Sequence, residues 1–507
     1  RFKVPARIGS LNAKVLHESS NIRSEPRPST MTKRIVIAGA LAALVLLARA
    51  QDSSDAMSAW QSLFDGRSLD GWKAGEHPAS FKVVDGAIAC DGPRAHLFYM
   101  GGAGGARFKN FEFEAEVMTR PGANSGVYFH TAFQDSGWPR AGFEVQVNNS
   151  QPAHNDYFET KKTGSLYGLR AQHKSIVSDN EWFRLQVRVC GRQVQIRLNG
   201  TLVVDYVEPK AAAGRGVPRR RLGEGTFALQ CHDETSKVLY RNLRVRVLPE
   251  AAGGPVEEPV VDDAYRQIIA LQAANFPVIN AHVHLKGGLT LDEALALSRK
   301  TGVYYGIAVN CGVGFGVTND AGIHRYIDEM KGQPAFVAMQ AEGREWVNMF
   351  SREAIARFDY VFTDSMTYTD NQGRRMRLWM PNEVFVDDPQ SFMDTLVDRA
   401  VGILSTEPID IYVNPTFLPD VLAADYDALW TEERMRRVID AAVKHQVAIE
   451  INARYRLPSP RFIKLAKQAG AKFSFGTNNG DRDVGDIAYC LQMVRECELK
   501  WQDMFFP

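Results

Sequence analysis

The pattern of apolar residues changes once along the chain, near residue 249, and this change constrains the fold more than any other feature. Before it, apolar and polar residues alternate with a period of two, as at residues 111–117 and 194–198. The second of these runs leads into Asn199-Gly200, a dipeptide typical of a hairpin turn. Several such runs without a long helix between them predict an antiparallel β-sandwich of the jelly-roll type over residues 51–248.

After the change, short apolar strands alternate with helical patterns. We predict strands at residues 278–284, 304–310, 335–340, 360–363, 409–413, 448–451 and 472–475. Repeated strand–helix units predict a parallel sheet, and this number of units predicts a TIM-like α/β barrel over residues 276–507. The segment between the two halves, residues 249–275, begins with a Pro- and Gly-rich stretch and is predicted to be a linker.

Length and charge limit the class of protein. A chain of 507 residues is expected to form two or three domains. It carries 60 Lys and Arg residues against 59 Asp and Glu residues, a net charge of +1. Because proteins that bind nucleic acid usually present a strongly basic face, we expect no nucleic-acid partner.

The N-terminal region has the order of features found in a secretory signal peptide. Basic residues follow Met31, an apolar run covers residues 35–48, and an Ala-x-Ala cleavage pattern comes directly after it. We therefore expect residues 31–50 to be a signal peptide and residues 1–30 to be upstream translation. The protein would then be exported, to the periplasm or the extracellular space. We expect no membrane span, since one needs about 20 apolar residues in a row.

Two strands of the predicted sandwich carry polar residues at alternate positions. Glu144 and Gln146 are two apart in one strand, and Gln230 and His232 are two apart in another, so each pair shares a strand face. The same pattern adds two further residues to this surface, Asn124 and His130. A solvated face is usually rich in Lys and Thr, so Glu, Gln, Asn and His together predict a concave binding surface. Ordinary exposed polar residues are the alternative.

Seven short motifs of this half resemble, in their order, those of the 3-keto-disaccharide hydrolase family. They are residues 63–72, 124–128 together with Phe111, 142–146, 164–168, 181–182, 198–200 and 225–242. The resemblance implies a concanavalin-like sandwich that cleaves glycosides already oxidised at C3. A carbohydrate, in the form of a keto-glycoside, is therefore the expected partner.

The chemistry that the resemblance implies starts from the ketone at C3. The ketone acidifies the C2 proton, so a base removes it, the C1 substituent leaves by elimination, and water then adds. Glu144 and His232 are the expected base and acid, in either assignment, or metal ligands. Expected sugar contacts are Asn124, His130, Gln146, Tyr167 and Gln230. Tyr167 also fits a core aromatic, and binding without turnover is the alternative for the whole sandwich.

A His-x-His motif marks the end of the first predicted barrel strand. His282 and His284 lie where such barrels have their active-site face, and both rings point the same way. Together with Glu342 they predict a site for a divalent metal (Zn, Mn or Ca), and a structural histidine pair is the alternative.

Residues 278–284 resemble the first motif of the polymerase and histidinol phosphatase (PHP) superfamily and, more distantly, the amidohydrolases. Asn414 stands where a His is expected, and residues 476–480 replace a late motif that has Asp and His. The resemblance therefore implies a reduced metal site.

Three hypotheses follow for the whole chain. The first is an exported enzyme whose sandwich cleaves 3-keto-glycosides. The second is a metal-dependent hydrolase or phosphoesterase in the barrel, with the sandwich as a sugar-binding module. The third is a binding protein without activity.

Overall fold

The computed structural model describes residues 59–153, 157–210, 220–370 and 372–507. The expected signal peptide at residues 31–50 and the expected upstream segment at residues 1–30 lie outside the described residues. Within the described ranges, no helix is both long and apolar enough to cross a membrane. Residues 59–507 belong to one compact unit.

The first half is a sandwich of two antiparallel sheets, as the period-two pattern predicts. Its strands are β1 (Gln61–Ser62), β2 (Trp72–Ala74), β3 (Phe81–Val84), β4 (Ala87–Asp91), β5 (Ala95–Tyr99), β6 (Phe111–Thr119), β7 (Ser125–Thr131), β8 (Phe143–Val147), β9 (Phe183–Cys190), β10 (Gln193–Leu198), β11 (Thr201–Val207), β12 (Thr226–Cys231) and β13 (Lys237–Val247). The larger sheet has eight strands in the order β11-β10-β9-β6-β13-β4-β3, with β1 beside β13. The smaller sheet has five strands in the order β2-β5-β12-β7-β8.

Strand β6 shows why the larger sheet forms. Phe111, Phe113 and other alternate residues of β6 are buried between the two sheets. The intervening glutamates lie on the outer face and pair across to arginines of β13. These pairs are Glu112–Arg246, Glu114–Arg244 and Glu116–Arg241. One side of the sheet is therefore apolar and the other is charged, which fixes the strand register.

The smaller sheet carries polar residues on its outer face at matched positions. Gln230 on β12 lies opposite His96 on β5, and Tyr128 on β7 lies opposite Glu144 on β8. Neighbouring strands thus place four polar or aromatic side chains on the same face of this sheet. Three of them, Tyr128, Glu144 and Gln230, lie in the floor of the site described below.

The second half contains a closed barrel of seven parallel strands, which confirms the predicted barrel. The barrel strands are β14 (Ile279–His284), β15 (Tyr304–Cys311), β16 (Phe336–Ala341), β17 (Tyr360–Thr363), β20 (Ile411–Tyr412), β21 (Ala448–Asn452) and β22 (Phe473–Gly476). A hairpin of β18 (Thr367–Thr369) and β19 (Arg375–Arg377) follows β17. Each of the seven predicted segments overlaps one of these strands. Among the described residues the barrel has seven strands, whereas a TIM barrel has eight.

Ten α-helices accompany the described strands. They are α1 (Asp263–Ala273), α2 (Leu291–Thr301), α3 (Asp320–Glu329), α4 (Arg352–Ile355), α5 (Pro389–Thr406), α6 (Asp420–Ala423), α7 (Tyr426–Leu429), α8 (Glu432–Lys444), α9 (Pro460–Gln468) and α10 (Ala488–Glu496). The 3-10 turns are Pro78–Ser80, Ala103–Ala106, Glu250–Ala252, Glu345–Asn348, Pro381–Glu383 and Trp501–Asp503.

Helix α1 lies inside residues 249–275, which the sequence predicts to be a linker. Asp262 caps its N-terminus by accepting a hydrogen bond from Tyr265 N at 2.8 Å. Ile268 is buried in the barrel core, whereas Tyr265 and Ile269 are buried in the sandwich core. The second part of the expected linker is therefore a helix that belongs to both cores, because its apolar side chains face both halves.

Further contacts tie the two halves together. Arg170 of the sandwich donates hydrogen bonds to the backbone carbonyls of Arg299 and Lys300 near the end of α2. Lys174 pairs with Asp359 at 2.6 Å, immediately before barrel strand β17. These contacts place the loop that precedes β9 against the barrel.

Candidate functional site

A cavity of about 770 Å³ lies over the outer face of the smaller sheet of the sandwich. Strands β7, β8 and β12 supply its floor, with Tyr128, Glu144, Gln146 and Gln230. Loops and helix α1 supply the walls, and the polar or aromatic wall residues are Trp138, Tyr157, Glu159, Tyr167, Arg220 and His232. A cavity of this size is typical of a site for a small molecule.

Glu144 is the buried carboxyl of the floor. Its Oε2 accepts a hydrogen bond from Tyr128 Oη at 2.7 Å, and its Oε1 accepts one from Gln230 Nε2 at 3.0 Å. Burial raises the pKa of Glu144 above the ordinary value of 4.5, although the two hydrogen bonds and the nearby His232 oppose the rise. The neutral, proton-donating form of Glu144 is thus favoured relative to an exposed glutamate.

Gly126 makes room for this carboxyl. It lies opposite Gln146 in the sheet, and a Cβ atom at this position would lie 2.5 Å from Glu144 Oε1. Any larger residue at position 126 would therefore displace the carboxyl from its two hydrogen-bond donors.

His232 follows the end of β12 and forms a pair with the next residue. Its Nδ1 lies 2.7 Å from Asp233 Oδ2. Partial burial alone would raise the pKa of Asp233, but hydrogen bonds from His232 and Thr235 outweigh it and hold that pKa well below its ordinary value. A carboxylate at Nδ1 favours the tautomer with its proton on Nδ1, so Nε2 carries the lone pair that can accept a proton. Asp233 is a site residue that the sequence analysis missed.

Two amide side chains extend the floor. Gln146 Nε2 donates to Asn124 Oδ1 at 2.7 Å, and Asn124 Nδ2 donates to Gln151 Oε1 at 2.9 Å. Two buried oxygens of the floor, Gln146 Oε1 and Gln230 Oε1, have no hydrogen-bond partner among the described residues. Buried polar atoms are almost always paired in native proteins, so these acceptors indicate a ligand or water with donor groups at the cavity floor.

His96 is a second residue that sequence reasoning missed. Its ring is buried against Tyr128 and Trp138, at centroid distances of 5.4 and 5.6 Å. Both ring nitrogens lack partners within the described ranges. Burial lowers the pKa of His96 to about 4, so the ring is neutral near pH 7. His96 lies beside the floor residues because it pairs with Gln230 across the sheet. The sequence does not show which residues of β5 and β12 pair, so it gives no sign of this position.

Tyr167, which the sequence analysis expects to be a sugar contact, lies in the cavity wall. Its hydroxyl donates to Glu159 Oε2 at 3.1 Å, and the Tyr157 hydroxyl donates to the same oxygen at 2.5 Å. The opposite oxygen of Glu159 pairs with Lys161 at 3.0 Å, and both of these charged side chains are buried. Because Tyr157 and Tyr167 are 44% and 38% exposed, their rings are available to stack on a ligand.

His130 does not reach the cavity, although the alternation of β7 predicts that it shares a face with Tyr128. The ladder between β7 and β12 has a bulge here, and His130 has a left-handed backbone with φ of 53°. Its ring instead packs on Phe111 and Phe129, and its Nε2 lies 2.9 Å from Lys109 O. The extra residue of the bulge turns the side chain away from the expected face.

The barrel places its predicted residues at the carboxyl ends of its strands. His282 Nδ1 lies 2.6 Å from Glu450 Oε1, and His282 Nε2 lies 3.4 Å from Gln340 Oε1. His284 Nδ1 lies 3.1 Å from Ala308 O, whereas its buried Nε2 has no partner in the described chain. The two rings are 5.1 Å apart.

Glu342 contacts neither histidine by a hydrogen bond. Its Oε1 accepts from Asn310 Nδ2 at 2.7 Å. Burial and the neighbouring Asp364 raise the pKa of Glu342 to about 8. Burial also raises the pKa of Asp364, which accepts a hydrogen bond from Asn414 Nδ2 at 3.0 Å. These strand ends therefore hold two buried carboxyl groups whose pKa values are both raised above the ordinary range.

A metal ion at the barrel strand ends would need free ligand atoms on His282, His284 and Glu342 that converge on one point. Both ring nitrogens of His282 already face side-chain oxygens, and one oxygen of Glu342 accepts from an amide. In the ranges that the structure describes, no group of three or more His, Cys, Asp or Glu side chains is placed to hold a metal ion. His282, His284 and Glu342 do not form a shared ligand set, so we derive no chemical step through a metal.

Comparison with known proteins agrees with the fold of the sandwich. Residues 59–246 match the model of the 3-keto-alpha-glucoside-1,2-lyase-like domain. This match supports a carbohydrate-active enzyme of the glycoside hydrolase type. No curated protein matches the chain.

Three solved structures are similar to parts of the chain. A candidate glycosyl hydrolase from Parabacteroides distasonis is 20% identical, with 39% of this chain and 97% of that chain covered and a TM-score of 0.33. A carbohydrate-binding module from Bacillus subtilis is 14% identical, with 35% and 95% covered and a TM-score of 0.25. A histidinol phosphate phosphatase from Lactococcus lactis is 10% identical, with 44% and 95% covered and a TM-score of 0.34.

Proposed function

We propose that the sandwich cleaves glycosides that carry a ketone at C3, by elimination of the C1 substituent followed by addition of water. The observation that supports this reaction most is the presence in one cavity of two different proton-transfer groups. Glu144 is a buried carboxyl with a raised pKa, and His232 is an imidazole held by the Asp233 carboxylate. An elimination of this kind needs one base and one acid at adjacent carbons.

His232 is the base in this proposal. Its Nε2 takes the proton from C2, and the electron pair of that C–H bond moves to form the enolate of the C3 ketone. The Asp233 carboxylate, 2.7 Å from Nδ1, stabilises the imidazolium that forms. The two oxygens of Glu144, by contrast, accept from the neutral donors Tyr128 and Gln230.

Glu144 is the acid. As the enolate reforms the ketone, a C1–C2 double bond forms and the bond from C1 to the glycosidic oxygen breaks. Glu144 gives its proton to that oxygen, and the aglycone leaves as a neutral alcohol. Because the raised pKa keeps more of Glu144 protonated than in an exposed glutamate, burial prepares it for this role.

Addition of water returns both groups to their starting states. The Glu144 carboxylate takes a proton from the water as its oxygen bonds to C1. The His232 imidazolium returns its proton to C2. The net reaction is hydrolysis of the glycoside, with no change in either side chain.

Arg220 is the cation in the cavity wall that we assign to the enolate oxygen. Its Nη1 donates to Gly142 O at 3.2 Å and its Nη2 donates to Pro139 O at 3.0 Å. These bonds to neutral carbonyls orient the guanidinium, which forms no salt bridge with the residues that the structure describes. A fixed positive charge beside the ketone stabilises the negative charge that develops in the transition state.

Release of a chromogenic aglycone tests this proposal. The full chain from residue 51 onward is incubated with a nitrophenyl 3-keto-glucoside and, separately, with the unoxidised nitrophenyl glucoside. We expect release from the keto compound alone. Release from the unoxidised compound at an equal rate, or release from neither by folded protein, contradicts the proposal.

A second candidate places a reaction in the barrel, with the sandwich as its sugar-binding module. The observation that favours it is the Glu342 carboxyl, whose pKa is raised to about 8 at the strand ends. Aglycone release that survives changes to Glu144 and His232 but is lost in Glu342→Gln would support this candidate.

We also propose export, to the periplasm or beyond, on the basis of residues 31–50. Fusion of these residues to a reporter protein tests this proposal.

A further inference from the structure

We infer that helix α1 forms the leaving-group side of the sandwich cavity and selects a flat, apolar aglycone. The inference rests on the proposed elimination reaction, and it adds a substrate class to it. The part of the chain concerned is the one that the sequence predicts to be a linker. Helix α1 lines the cavity, hydrogen bonds hold its C-terminal end, and the side chains that it presents to the cavity are apolar.

The position of α1 is at the cavity wall. Ile269, Ala270 and Ala273 line the same cavity as Glu144 and His232. Ala273 lies close to Gly168, since a Cβ built on Gly168 would lie 3.6 Å from Ala273 Cα. Ile269 is also buried in the sandwich core, so this face of α1 is part of the sandwich.

Hydrogen bonds from Asn275 hold the C-terminal end of the wall. Asn275 Oδ1 accepts from Thr160 N at 3.1 Å and from Lys161 Nζ at 2.7 Å. Asn275 Nδ2 donates to Phe158 O at 2.6 Å. These residues belong to the loop that also carries Glu159, which binds the hydroxyls of Tyr157 and Tyr167. Hydrogen bonds thus join the helix and the loop, and both line the cavity.

The side chains that α1 presents to the cavity, Ile269, Ala270 and Ala273, cannot form hydrogen bonds. Ala270 and Ala273 are exposed to the cavity and end in methyl groups, and Ala270 O is already bonded within the helix by Ala274 N. Leu169, also in the wall, is apolar too. The floor, by contrast, offers the unpaired oxygens of Gln146 and Gln230.

This division of the cavity orients the substrate. The hydroxyls of the oxidised sugar find acceptors at the floor, whereas hydroxyls of a second sugar would be left without partners where they meet the face of α1. An aromatic or otherwise apolar aglycone has no hydroxyl groups that would lose hydrogen bonds there, and it gains contact with alanine methyl groups and the nearby tyrosine rings. The small size of Ala270 leaves the room that such a group needs.

Substitution of Ala270 tests the inference in the full-length protein. The substrates are nitrophenyl 3-keto-glucoside and methyl 3-keto-glucoside, compared as the ratio of kcat/KM. Ala270→Phe fills the wall, so we expect it to lower kcat/KM for the nitrophenyl compound about tenfold or more while the methyl compound changes less than about twofold. Ala274→Phe, on an exposed residue of the same segment outside the cavity, is the matched control and is expected to change neither.

A second pair of variants guards against misfolding. Ala270→Asp and Ala274→Asp place a charge on the same two positions. Only Ala270→Asp is expected to lower kcat/KM for the nitrophenyl compound more than for the methyl compound. Equal losses for both substrates in Ala270→Phe and Ala270→Asp, or no loss for either, would overturn the inference while leaving the elimination reaction intact. If the unmodified protein cleaves neither keto compound, the proposed function itself fails.

Discussion

Asp233 Oδ2 lies 2.7 Å from His232 Nδ1 at the edge of a cavity whose floor holds the buried carboxyl of Glu144. This relationship distinguishes the two groups that the sequence leaves interchangeable. The imidazole has a carboxylate at one nitrogen, which favours a base at the other nitrogen. The glutamate is buried and has a raised pKa, which favours an acid.

Asp233→Asn is expected to reduce kcat by roughly 100-fold or more, because the amide no longer stabilises the imidazolium or fixes the tautomer of His232. KM is expected to change little, since Asp233 does not line the cavity. Initial rates on the nitrophenyl 3-keto-glucoside measure both parameters. Asp91→Asn, which changes a carboxylate paired with Lys82 and Lys237 at the sandwich surface, is the control. A fall in the control variant of similar size would argue against a specific role for Asp233.

Glu144→Gln is expected to affect substrates according to their leaving groups. A methyl or sugar leaving group needs a proton, so its release should fall by roughly 100- to 10,000-fold. A nitrophenolate leaves readily without a proton, so its release should fall far less. Rates on matched methyl and nitrophenyl 3-keto-glucosides measure the difference. Equal losses on the two substrates would exclude Glu144 as the acid.

The pH dependence of stability offers an independent check on Glu144. Its pKa is raised in the folded protein, so the folded state binds a proton more tightly than the unfolded state does. The resulting stability is present below the ordinary pKa of 4.5 and is lost as pH rises through the raised value. We therefore expect Glu144→Gln to raise Tm relative to the unchanged protein more at pH 8 than at pH 4. Thermal unfolding at both pH values measures this, and an equal shift at the two would contradict the raised pKa.

Gly126→Ala is expected to reduce activity without unfolding the protein. The added Cβ would lie 2.5 Å from Glu144 Oε1, so the carboxyl must move away from Tyr128 and Gln230. We expect a loss of stability of about 1 to 3 kcal/mol, typical of overpacking, and a larger loss of activity on poor leaving groups. Gly102→Ala, at a glycine with open space around it and a negative φ, is the control for the substitution itself. Full activity in Gly126→Ala would show that the position of the carboxyl does not matter.

Glu342→Gln tests whether the barrel takes part in the reaction. The proposed chemistry lies wholly in the sandwich, so aglycone release is expected to stay within about twofold of the unchanged protein, as expected for a substitution remote from the reacting groups. The pKa of Glu342 is raised to about 8, so a neutral glutamine of the same shape replaces it with little disturbance. The glutamine oxygen can still accept the hydrogen bond from Asn310. Loss of release in folded Glu342→Gln would instead support the barrel as the centre of activity.

The fold follows from the sequence where the apolar pattern is local. All seven barrel strands are short apolar runs, and each overlaps the segment predicted for it. Helix α1 escaped prediction because the Pro- and Gly-rich stretch before it obscures its start, and because its apolar residues serve two cores at once. Because the apolar residues of α1 face two different cores, they do not form the single apolar stripe by which a helix is recognised in a sequence.

The site follows from the sequence only in part, for related reasons. Glu144, Gln146 and Gln230 share a face because the period of a strand is two, and the structure places all three in the cavity floor. The same rule fails for His130, where a bulge adds one residue to the strand. His96 lies opposite Gln230 only in the folded sheet, so a single sequence gives no signal for it. Asp233 follows His232 directly in the sequence, and that adjacency is the signal that could have found it.

In the proposed reaction His232 removes the C2 proton and Glu144 acts afterwards. Deuterium exchange at C2 of a 3-keto-sugar that has no aglycone, followed by NMR in D₂O, separates these two steps. We expect exchange to be lost in His232→Asn and retained in Glu144→Gln, in which release of a methyl aglycone is lost. Exchange that persists in His232→Asn but disappears in Glu144→Gln would contradict it and reverse the two roles.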